Sequence, residues 1–127
     1  MKTFAIIAAL ATMASPASAE ELLGKWLTAP DENGFSAVID IAPCGAKICG
    51  TNVQSMDADG KKVTTSSSGT KLLWDMVNKG NGNYTGRVYS PAKKKEYKGK
   101  LQMTGNLLTV KGCIGPICLS AGTWERM

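Results

Sequence analysis

The two ends of the strand-forming region constrain the fold of this chain most strongly. The first alternating segment carries Gly24-Lys25-Trp26, and the chain closes with Thr123-Trp124-Glu125-Arg126. A Gly-x-Trp motif in the first strand and a Trp-x-Arg motif in the last indicate that these two strands meet. A sheet closed in this way is a barrel, and a small barrel either packs solid or holds one small ligand.

Between these ends, apolar and polar residues alternate with the period of two that is typical of strands. In residues 97–103, for example, Tyr97, Leu101 and Met103 alternate with two lysines and a glutamine. Turn sequences such as Asn81-Gly82 separate the segments, and no stretch shows the period of an α-helix. The sequence therefore predicts an all-β fold, a small antiparallel up-and-down barrel of about eight strands over residues 22–28, 35–42, 48–54, 71–77, 84–89, 97–103, 107–112 and 119–126.

Residues 1–19 have the composition of an export signal. Lys2 gives a positive start, residues 4–13 are apolar, and Ala17-Ser18-Ala19 forms a small-residue cleavage site. The apolar run is shorter than the ~20 residues that a spanning helix needs, and no cysteine follows the cleavage point to carry a lipid. We therefore expect cleavage after Ala19, a single β-barrel domain over residues 20–127, no transmembrane segment and a periplasmic location.

The four cysteines form two C-x4-C pairs, Cys44 with Cys49 and Cys113 with Cys118. An even number of cysteines in an exported chain favours disulfides. A four-residue hairpin loop places its flanking residues opposite each other within disulfide reach, so of the three connectivities we predict the two local ones. A zinc site would need four converging thiolates in an oxidising compartment, and redox enzymes use C-x2-C.

Catalytic and metal chemistry is mostly excluded by residue type. The chain contains no histidine, which removes the commonest general base and most zinc sites. Asp57-Ala58-Asp59-Gly60 resembles the start of a calcium loop, but Lys62 and Ser68 stand where an EF-hand has glycine and glutamate. Glycoside hydrolysis would need a pair of acids, but three of the acids fall on predicted outward faces: Asp40, Asp75 and Glu125. We therefore expect a protein that is not an enzyme and that binds no metal or cofactor.

Residues 54–70 fit no predicted strand and are rich in serine, threonine, glycine and aspartate. The segment exceeds the ~12–15 residues beyond which structureless loops are uncommon and often functional. Two interpretations stay open: an unstructured hairpin tip, or a lid over one mouth of the barrel.

The densest charge run is Lys93-Lys94-Lys95, followed by Lys98 and Lys100. These lysines either keep a hairpin soluble and protect a sheet edge, or attract the protein to an anionic surface such as envelope lipid headgroups or polyanionic glycans. We expect no nucleic-acid partner, because the chain has an export signal and its aromatic residues are not interleaved with these lysines. The formal net charge of the chain is +5, an ordinary surplus.

Short motifs in a fixed order extend over most of the chain. They are Gly24-Lys25-Trp26, Ile41-Ala-Pro-Cys-Gly-Ala-Lys-Ile-Cys-Gly50, Gly86-Arg-Val-Tyr-Ser-Pro91, Tyr97-Lys-Gly-Lys-Leu101, Leu108-Thr-Val-Lys-Gly-Cys113 and Thr123-Trp-Glu-Arg126. In this combination the sequence resembles a bacterial family of exported proteins known as domain of unknown function number 2147. The resemblance implies a single exported β-barrel domain, and it implies no established activity.

The chain departs from that family pattern in two loops. Members of the family carry an acidic, Asn-Pro-containing stretch where this chain has the Ser/Thr-rich residues 64–70. They also have an acidic turn where this chain has Lys93-Lys94-Lys95. A function that the family places in those loops is not carried over by the resemblance.

The frame also resembles the lipocalin and calycin superfamily. In that superfamily an early Gly-x-Trp packs beneath an arginine of the last strand. The resemblance implies that Trp26 is a buried indole at the base of the barrel and that Arg126 lies across it as a cation. This role is structural, and it leaves the occupant of the other end undetermined.

Two hypotheses of function remain from the sequence. The first is an exported carrier of a small apolar ligand, held in a barrel lumen lined by Ile39, Trp74, Tyr84, Leu108 and Trp124. The second is a protein-binding module with a solid core, such as a periplasmic inhibitor or an envelope-assembly partner, that acts through its loops. A void approaching ~300 Å³ would favour the ligand carrier, and a filled core would favour the protein-binding module. In either case we expect a monomer.

Overall fold

The structure is a computed structural model that describes residues 21–127, so the predicted signal peptide lies outside the described residues. Nine strands succeed one another with short connections. They are β1 (Gly24–Leu27), β2 (Ser36–Cys44), β3 (Lys47–Met56), β4 (Lys62–Val63), β5 (Lys71–Gly80), β6 (Asn83–Ser90), β7 (Lys95–Thr104), β8 (Leu107–Ile114) and β9 (Ile117–Arg126).

All neighbouring strands pair antiparallel, and the sheet closes on itself. The order is β2-β1-β9-β8-β7-β6-β5-β3-β4, with a further pairing of β2 with β3. Eight strands therefore form a ring, while β4 pairs only with β3 at its edge. The predicted up-and-down barrel of eight strands is confirmed.

The up-and-down course gives the barrel two distinct ends. The base carries the start of β1 and the tight turns after β2, β5 and β7. The open end carries the connections 28–35, 57–70, 91–94 and 115–116. The longest of these connections is the Ser/Thr-rich segment that the sequence left open between two interpretations.

Trp26 and Arg126 close the base of the barrel. They are register partners in the pairing of β1 with β9, and the guanidinium carbon of Arg126 lies 4.3 Å from the centroid of the Trp26 ring. Trp26 is fully buried, and its Nε1 donates a hydrogen bond to the Leu22 carbonyl at 2.9 Å. The guanidinium also donates to the carbonyls of Glu21 and Leu23. One cation therefore joins both ends of the described chain.

One apolar cluster occupies the barrel interior. Its members come from the segment before β1 and from every strand of the ring except β3, and each is buried. They are Leu22, Trp26, Ile39, Ile41, Leu73, Met76, Tyr84, Val88, Leu101, Leu108, Val110 and Trp124. Burial of each large side chain contributes roughly 1.5–3 kcal/mol, so this cluster is the main source of stability.

The two predicted disulfides are confirmed. Cys44 is bonded to Cys49 across the β2–β3 turn. Cys113 is bonded to Cys118 across the β8–β9 turn. The β2–β3 turn lies at the base and the β8–β9 turn at the open end, so each end of the barrel contains one disulfide.

The regular alternation of a strand is interrupted within β5. A regular strand would place Leu72, Trp74 and Met76 on one face, but Leu73 and Met76 are the buried residues. The register shifts between Trp74 and Val77, and Asp75 adopts a φ of 56°. A β-bulge of this kind inserts a residue and moves the following side chains to the other face.

Gly86 on β6 makes room for this bulge. A Cβ at Gly86 would lie 2.7 Å from the Trp74 carbonyl oxygen and 2.8 Å from that of Asp75. The β5 backbone therefore approaches β6 more closely than any residue with a side chain would allow.

The prediction that residues 54–70 contain no strand is also wrong. β3 continues to Met56, and β4 follows after a tight turn. The Asp57 carboxylate accepts hydrogen bonds from the backbone amides of Asp59 and Lys61, both at 2.9 Å. Aspartate forms such turns readily, and this turn folds the chain back onto β3.

Candidate ligand site at the open end

Two polar side chains of β3 are buried beneath the open end of the barrel. Asn52 and Ser55 are 1% and 2% exposed, although they stand in an otherwise apolar interior. The side chains of Thr65, Ser67 and Ser68 cover them from the connection above. We call these five residues the mouth cluster.

Hydroxyl groups link the mouth cluster together. Asn52 Nδ2 donates to Ser55 Oγ at 3.1 Å and to Ser67 Oγ at 3.4 Å. Ser55 Oγ lies 3.0 Å from Thr65 Oγ1 and 3.2 Å from Ser68 Oγ. A network of this kind fixes the position of the covering segment as well as its side chains.

Backbone hydrogen bonds fasten the same segment to β3. The Asn52 amide donates to the Thr70 carbonyl at 2.9 Å, and the Gly69 amide donates to the Asn52 carbonyl at 2.8 Å. A turn within the segment is closed by the Ser68 amide and the Thr65 carbonyl at 3.1 Å. Residues 65–70 are therefore folded over the β3 side of the mouth, as in the lid interpretation and unlike an unstructured hairpin tip.

One acceptor in the mouth cluster is unpaired. Within residues 21–127, Asn52 Oδ1 is buried and has no hydrogen-bond partner. An unsatisfied buried group of this kind costs about 1–3 kcal/mol. Buried polar atoms in proteins are nearly always paired, so this oxygen marks a position where a further donor fits.

A groove lies at the rim beside the mouth cluster. Its volume is about 310 Å³. It runs between the covering segment, the first half of β5, the end of β6 and the β6–β7 turn. We call it the rim groove, and it is lined by Ser66, Ser67, Thr70, Lys71, Trp74, Tyr89, Pro91 and Lys94.

The rim groove combines two kinds of chemistry. Trp74 and Tyr89 provide aromatic surface on neighbouring strands, and both are half-buried. Lys94 is an exposed cation on one side of the groove, and the exposed Lys71 lines the other side with its flexible stem while its Nζ lies 3.9 Å from Cys44 Sγ. Aromatic faces bind flat apolar groups, and lysines bind carboxylate, sulfate or phosphate. Ser67 belongs both to the groove and to the mouth cluster, so the two features share a wall.

The structure separates the five predicted lumen residues into two groups. Ile39, Tyr84, Leu108 and Trp124 belong to the apolar cluster of the interior, between 0% and 6% exposed. Trp74 lies apart from them and lines the rim groove. The β5 bulge is the physical reason, since it brings Met76 into phase with Leu73 and leaves Trp74 on the opposite face.

Tyr84 is the titratable group that the interior perturbs. It is fully buried, and burial raises the pKa of its hydroxyl above the ordinary value of 10.0, with a smaller contribution from the Glu21 carboxylate. At neutral pH the ring is uncharged, as its apolar surroundings require.

A second groove of about 380 Å³ lies at the base, beside the β2–β3 turn. Its lining is mainly apolar and includes Leu23, Ile48, Met76 and Val77, with Lys47 as a cation. It contains none of the predicted lumen residues.

Two searches of the described part of the chain were negative. Residues 21–127 contain no group of three or more cysteine, aspartate or glutamate side chains arranged to hold a metal ion. In the same residues no helix has the length and apolar character needed to cross a membrane.

Sequence reasoning missed most of the residues at the open end. Asn52 had a usable signal, because it stands two positions from Gly50 on the buried phase of a strand where apolar residues are expected. Lys71, Tyr89 and Lys94 had none, because only the closed barrel brings them beside Trp74.

The comparisons with known proteins agree with this architecture. A solved structure of protein HP1028 from Helicobacter pylori, described as belonging to the lipocalin family, superposes with a TM-score of 0.63. It is 19% identical and the match covers 84% of this chain and 82% of that one, which shows a shared fold. A search of curated proteins finds no match. The family model described as "Uncharacterized protein conserved in bacteria (DUF2147)" matches residues 24–126, and the chain belongs to that family.

Proposed function

We propose that this protein is a non-catalytic binding protein of the bacterial envelope that holds a small ligand at the open end of its barrel. The ligand lies in the rim groove and not deep in the lumen. Its expected chemistry is amphipathic: a flat apolar part against Trp74 and Tyr89, and an anionic group near Lys71 and Lys94.

The observation that carries this proposal is the contrast between the interior and the rim. The interior side chains Ile39, Tyr84 and Leu108 are fully buried against their neighbours, so a ligand among them would require the core to open. The rim groove is accessible and has about 310 Å³ of space, within the range of small-ligand sites. The lipocalin-like fold of the H. pylori neighbour supports small-ligand binding in general.

Export supports the same assignment. The composition of residues 1–19 and the two disulfides fit an oxidising compartment. A mass of the protein recovered from the periplasm that begins at Glu20 would establish the cleavage site. A mass that retains Met1 or Lys2 would contradict it.

The test uses anilinonaphthalene sulfonate as the probe, because it joins an aromatic ring system to a sulfonate. Folded wild-type protein should bind it with saturation, and the tryptophan emission should fall as the probe's emission rises. Trp74→Ala and Lys71→Ala should each weaken binding by about tenfold, since each removes one half of the proposed contact. Lys79→Ala is the matched control: it removes an exposed lysine of the same strand outside the groove.

Three outcomes decide the matter. Loss of binding in Trp74→Ala and Lys71→Ala, with Lys79→Ala unchanged, supports the rim groove. Equal binding by all four proteins, with native near-ultraviolet circular dichroism, removes the ligand from this groove. No binding by wild type contradicts the small-ligand proposal and favours the protein-binding hypothesis.

A further inference from the structure

The outer surface of β7 and β8 carries lysines that the fold does not explain. Residues 93–111 contain six lysines and one acid, Glu96. Glu96 is already paired with Arg87 at 2.9 Å. Lys100 stands directly opposite Lys111 in the β7–β8 pairing, and Lys98 lies two residues from Lys100 on the same face. Like charges in opposed positions destabilise a sheet.

The protective role of lysines at sheet edges does not apply to this surface. β7 pairs with β6 on one side and with β8 on the other, and β8 pairs with β9. Since the ring is closed, neither strand presents an edge that lysines would need to protect. Edge protection therefore does not account for the positive charge at Lys98, Lys100 and Lys111.

Beyond these lysines along the strands, the β8–β9 turn projects an apolar tip at the open end, with its side chains on the alternate face of the strand pair. Ile114, Ile117 and Leu119 are 68%, 64% and 63% exposed. They lie within or next to the turn that the Cys113–Cys118 disulfide braces, so the tip is held rigid. Exposed aliphatic side chains grouped in this way mark an interaction site.

The spacing between the tip and the lysines along the strands matches the distance between the acyl boundary and the headgroup charges of a bilayer. Lys98 is opposite Cys113, the residue before Ile114. Lys111 precedes Ile114 by three residues, which is about 10 Å at roughly 3.3 Å per residue. A tip inserted just below the lipid headgroups would thus leave Lys98, Lys100 and Lys111 within about one Debye length of the headgroup charge.

The far side of the open end carries no such positive surplus. Connection 28–35 has Asp31 and Glu32 and no lysine or arginine, and in residues 57–70 Asp57 and Asp59 are balanced by Lys61 and Lys62. An anionic surface would therefore attract the β7–β9 side more strongly than the β1–β4 side, which favours one orientation of the barrel.

We propose that the β7–β8 lysines and the β8–β9 tip form a surface that docks on bilayers containing anionic lipids. The lysines contact the headgroup phosphates, and Ile114 and Ile117 enter the headgroup–acyl boundary. This surface is separate from the rim groove, because Lys98, Lys100, Lys111 and the tip residues do not line it. The docking proposal therefore stands or falls independently of the ligand proposal.

The test is co-sedimentation of the exported protein with vesicles of phosphatidylcholine alone or mixed with phosphatidylglycerol. Wild type should bind the mixed vesicles, bind the neutral ones at least tenfold more weakly, and dissociate as salt is raised. Lys100→Gln combined with Lys111→Gln should weaken binding by about twentyfold, since each lysine near an anionic surface contributes roughly fivefold. Ile114→Ser combined with Ile117→Ser should weaken it about fivefold or more.

Matched controls are available on the same barrel. Lys61→Gln combined with Lys62→Gln removes the same charge from the far side of the open end, and Leu107→Ser removes an exposed apolar side chain at the base of β8. Both should bind like wild type. All variants share the wild-type N-terminus, so any contribution of residues 4–13 cancels.

Several results would overturn the proposal. Equal binding to neutral and mixed vesicles would remove the role of anionic headgroups. A loss in Lys61→Gln/Lys62→Gln as large as in Lys100→Gln/Lys111→Gln would reduce the effect to net charge. If the lysine variant weakens binding while Ile114→Ser/Ile117→Ser does not, the tip does not enter the headgroup–acyl boundary and the docking surface as proposed is wrong.

Discussion

Replacement of Arg126 by alanine tests how the barrel is closed. The guanidinium lies over the ring of Trp26 at 4.3 Å and donates to the carbonyls of Glu21 and Leu23. It also contacts Met103 Sδ at 3.4 Å. Arg126→Ala removes all of these interactions but keeps the backbone pairing of β9 with β1.

The expected loss follows from those contacts. A cation over a fully buried indole contributes up to about 2 kcal/mol. The hydrogen bonds add about 1 kcal/mol, because the carbonyl of the exposed Glu21 regains water when the arginine is lost. We therefore expect Arg126→Ala to lower the free energy of unfolding by about 3 kcal/mol, a large share of a typical total of 5–15 kcal/mol.

The assay is equilibrium urea unfolding followed by far-ultraviolet circular dichroism, with the combined emission of the three tryptophans, Trp26 among them, as a second probe. Arg87→Ala is the matched control, because Arg87 forms an exposed ion pair with Glu96 and should cost less than about 1 kcal/mol. The loss of stability in Arg126→Lys should lie between those of Arg126→Ala and Arg87→Ala, since lysine keeps a cation and lacks the guanidinium group.

Deletion of residues 125–127 is the stronger perturbation of the same feature. It removes the β1–β9 pairs Trp26–Arg126 and Leu27–Glu125, and also the hydrogen bond from the Met127 amide to the Lys25 carbonyl. The free energy of unfolding should fall by several kcal/mol, and the protein should aggregate through the unpaired edges of β1 and β9. If Arg126→Ala loses no more stability than Arg87→Ala and its tryptophan emission is that of wild type, the closure argument is refuted.

Three further predictions concern other parts of the barrel. Reduction of both disulfides should lower the melting temperature without abolishing the fold, because short loops contribute about 2 kcal/mol each, and non-reducing peptide mapping should give only the pairs Cys44–Cys49 and Cys113–Cys118. Because the pKa of Tyr84 is raised in the folded protein, its contribution to stability is fully present below pH ~10, the unfolded pKa, and is lost as pH rises through the folded pKa. The free energy of unfolding of Tyr84→Phe should therefore fall less steeply at alkaline pH than that of wild type. Parallel plots of unfolding free energy against pH for the two proteins would contradict this role of Tyr84. Gly86→Ala should lower the free energy of unfolding by about 1–3 kcal/mol, because its Cβ would meet the Trp74 and Asp75 carbonyls. The control is Gly112→Ala, whose Cβ would lie 3.5 Å from the Tyr97 side chain; its free energy of unfolding should stay within about 0.5 kcal/mol of the wild-type value.

The features that could be predicted from the sequence are those set by local rules. Strand alternation and turn residues fix the up-and-down course, and the motifs around Trp26 and Arg126 indicate closure. The cysteine spacing is enough to predict the two disulfides, since a hairpin loop alone brings the two cysteines of each pair together.

The features that escaped prediction depend on contacts between distant segments. The β5 bulge exists because Gly86 of another strand lets the backbone at Asp75 approach, and that single irregularity moves Trp74 from the predicted lumen to the rim. Residues 65–70 are ordered by Asn52 and Ser55, which lie on a strand earlier in the chain. Neither effect has a local sequence signal.

The most direct test of the central claim is native mass spectrometry of the protein recovered from the envelope of its own bacterium. Wild type should carry a non-covalently bound small molecule, and the Lys71→Ala/Trp74→Ala double variant, purified in the same way, should have lost it. Wild type recovered without any bound molecule, or a double variant that carries the same added mass, would contradict a ligand site at the rim groove.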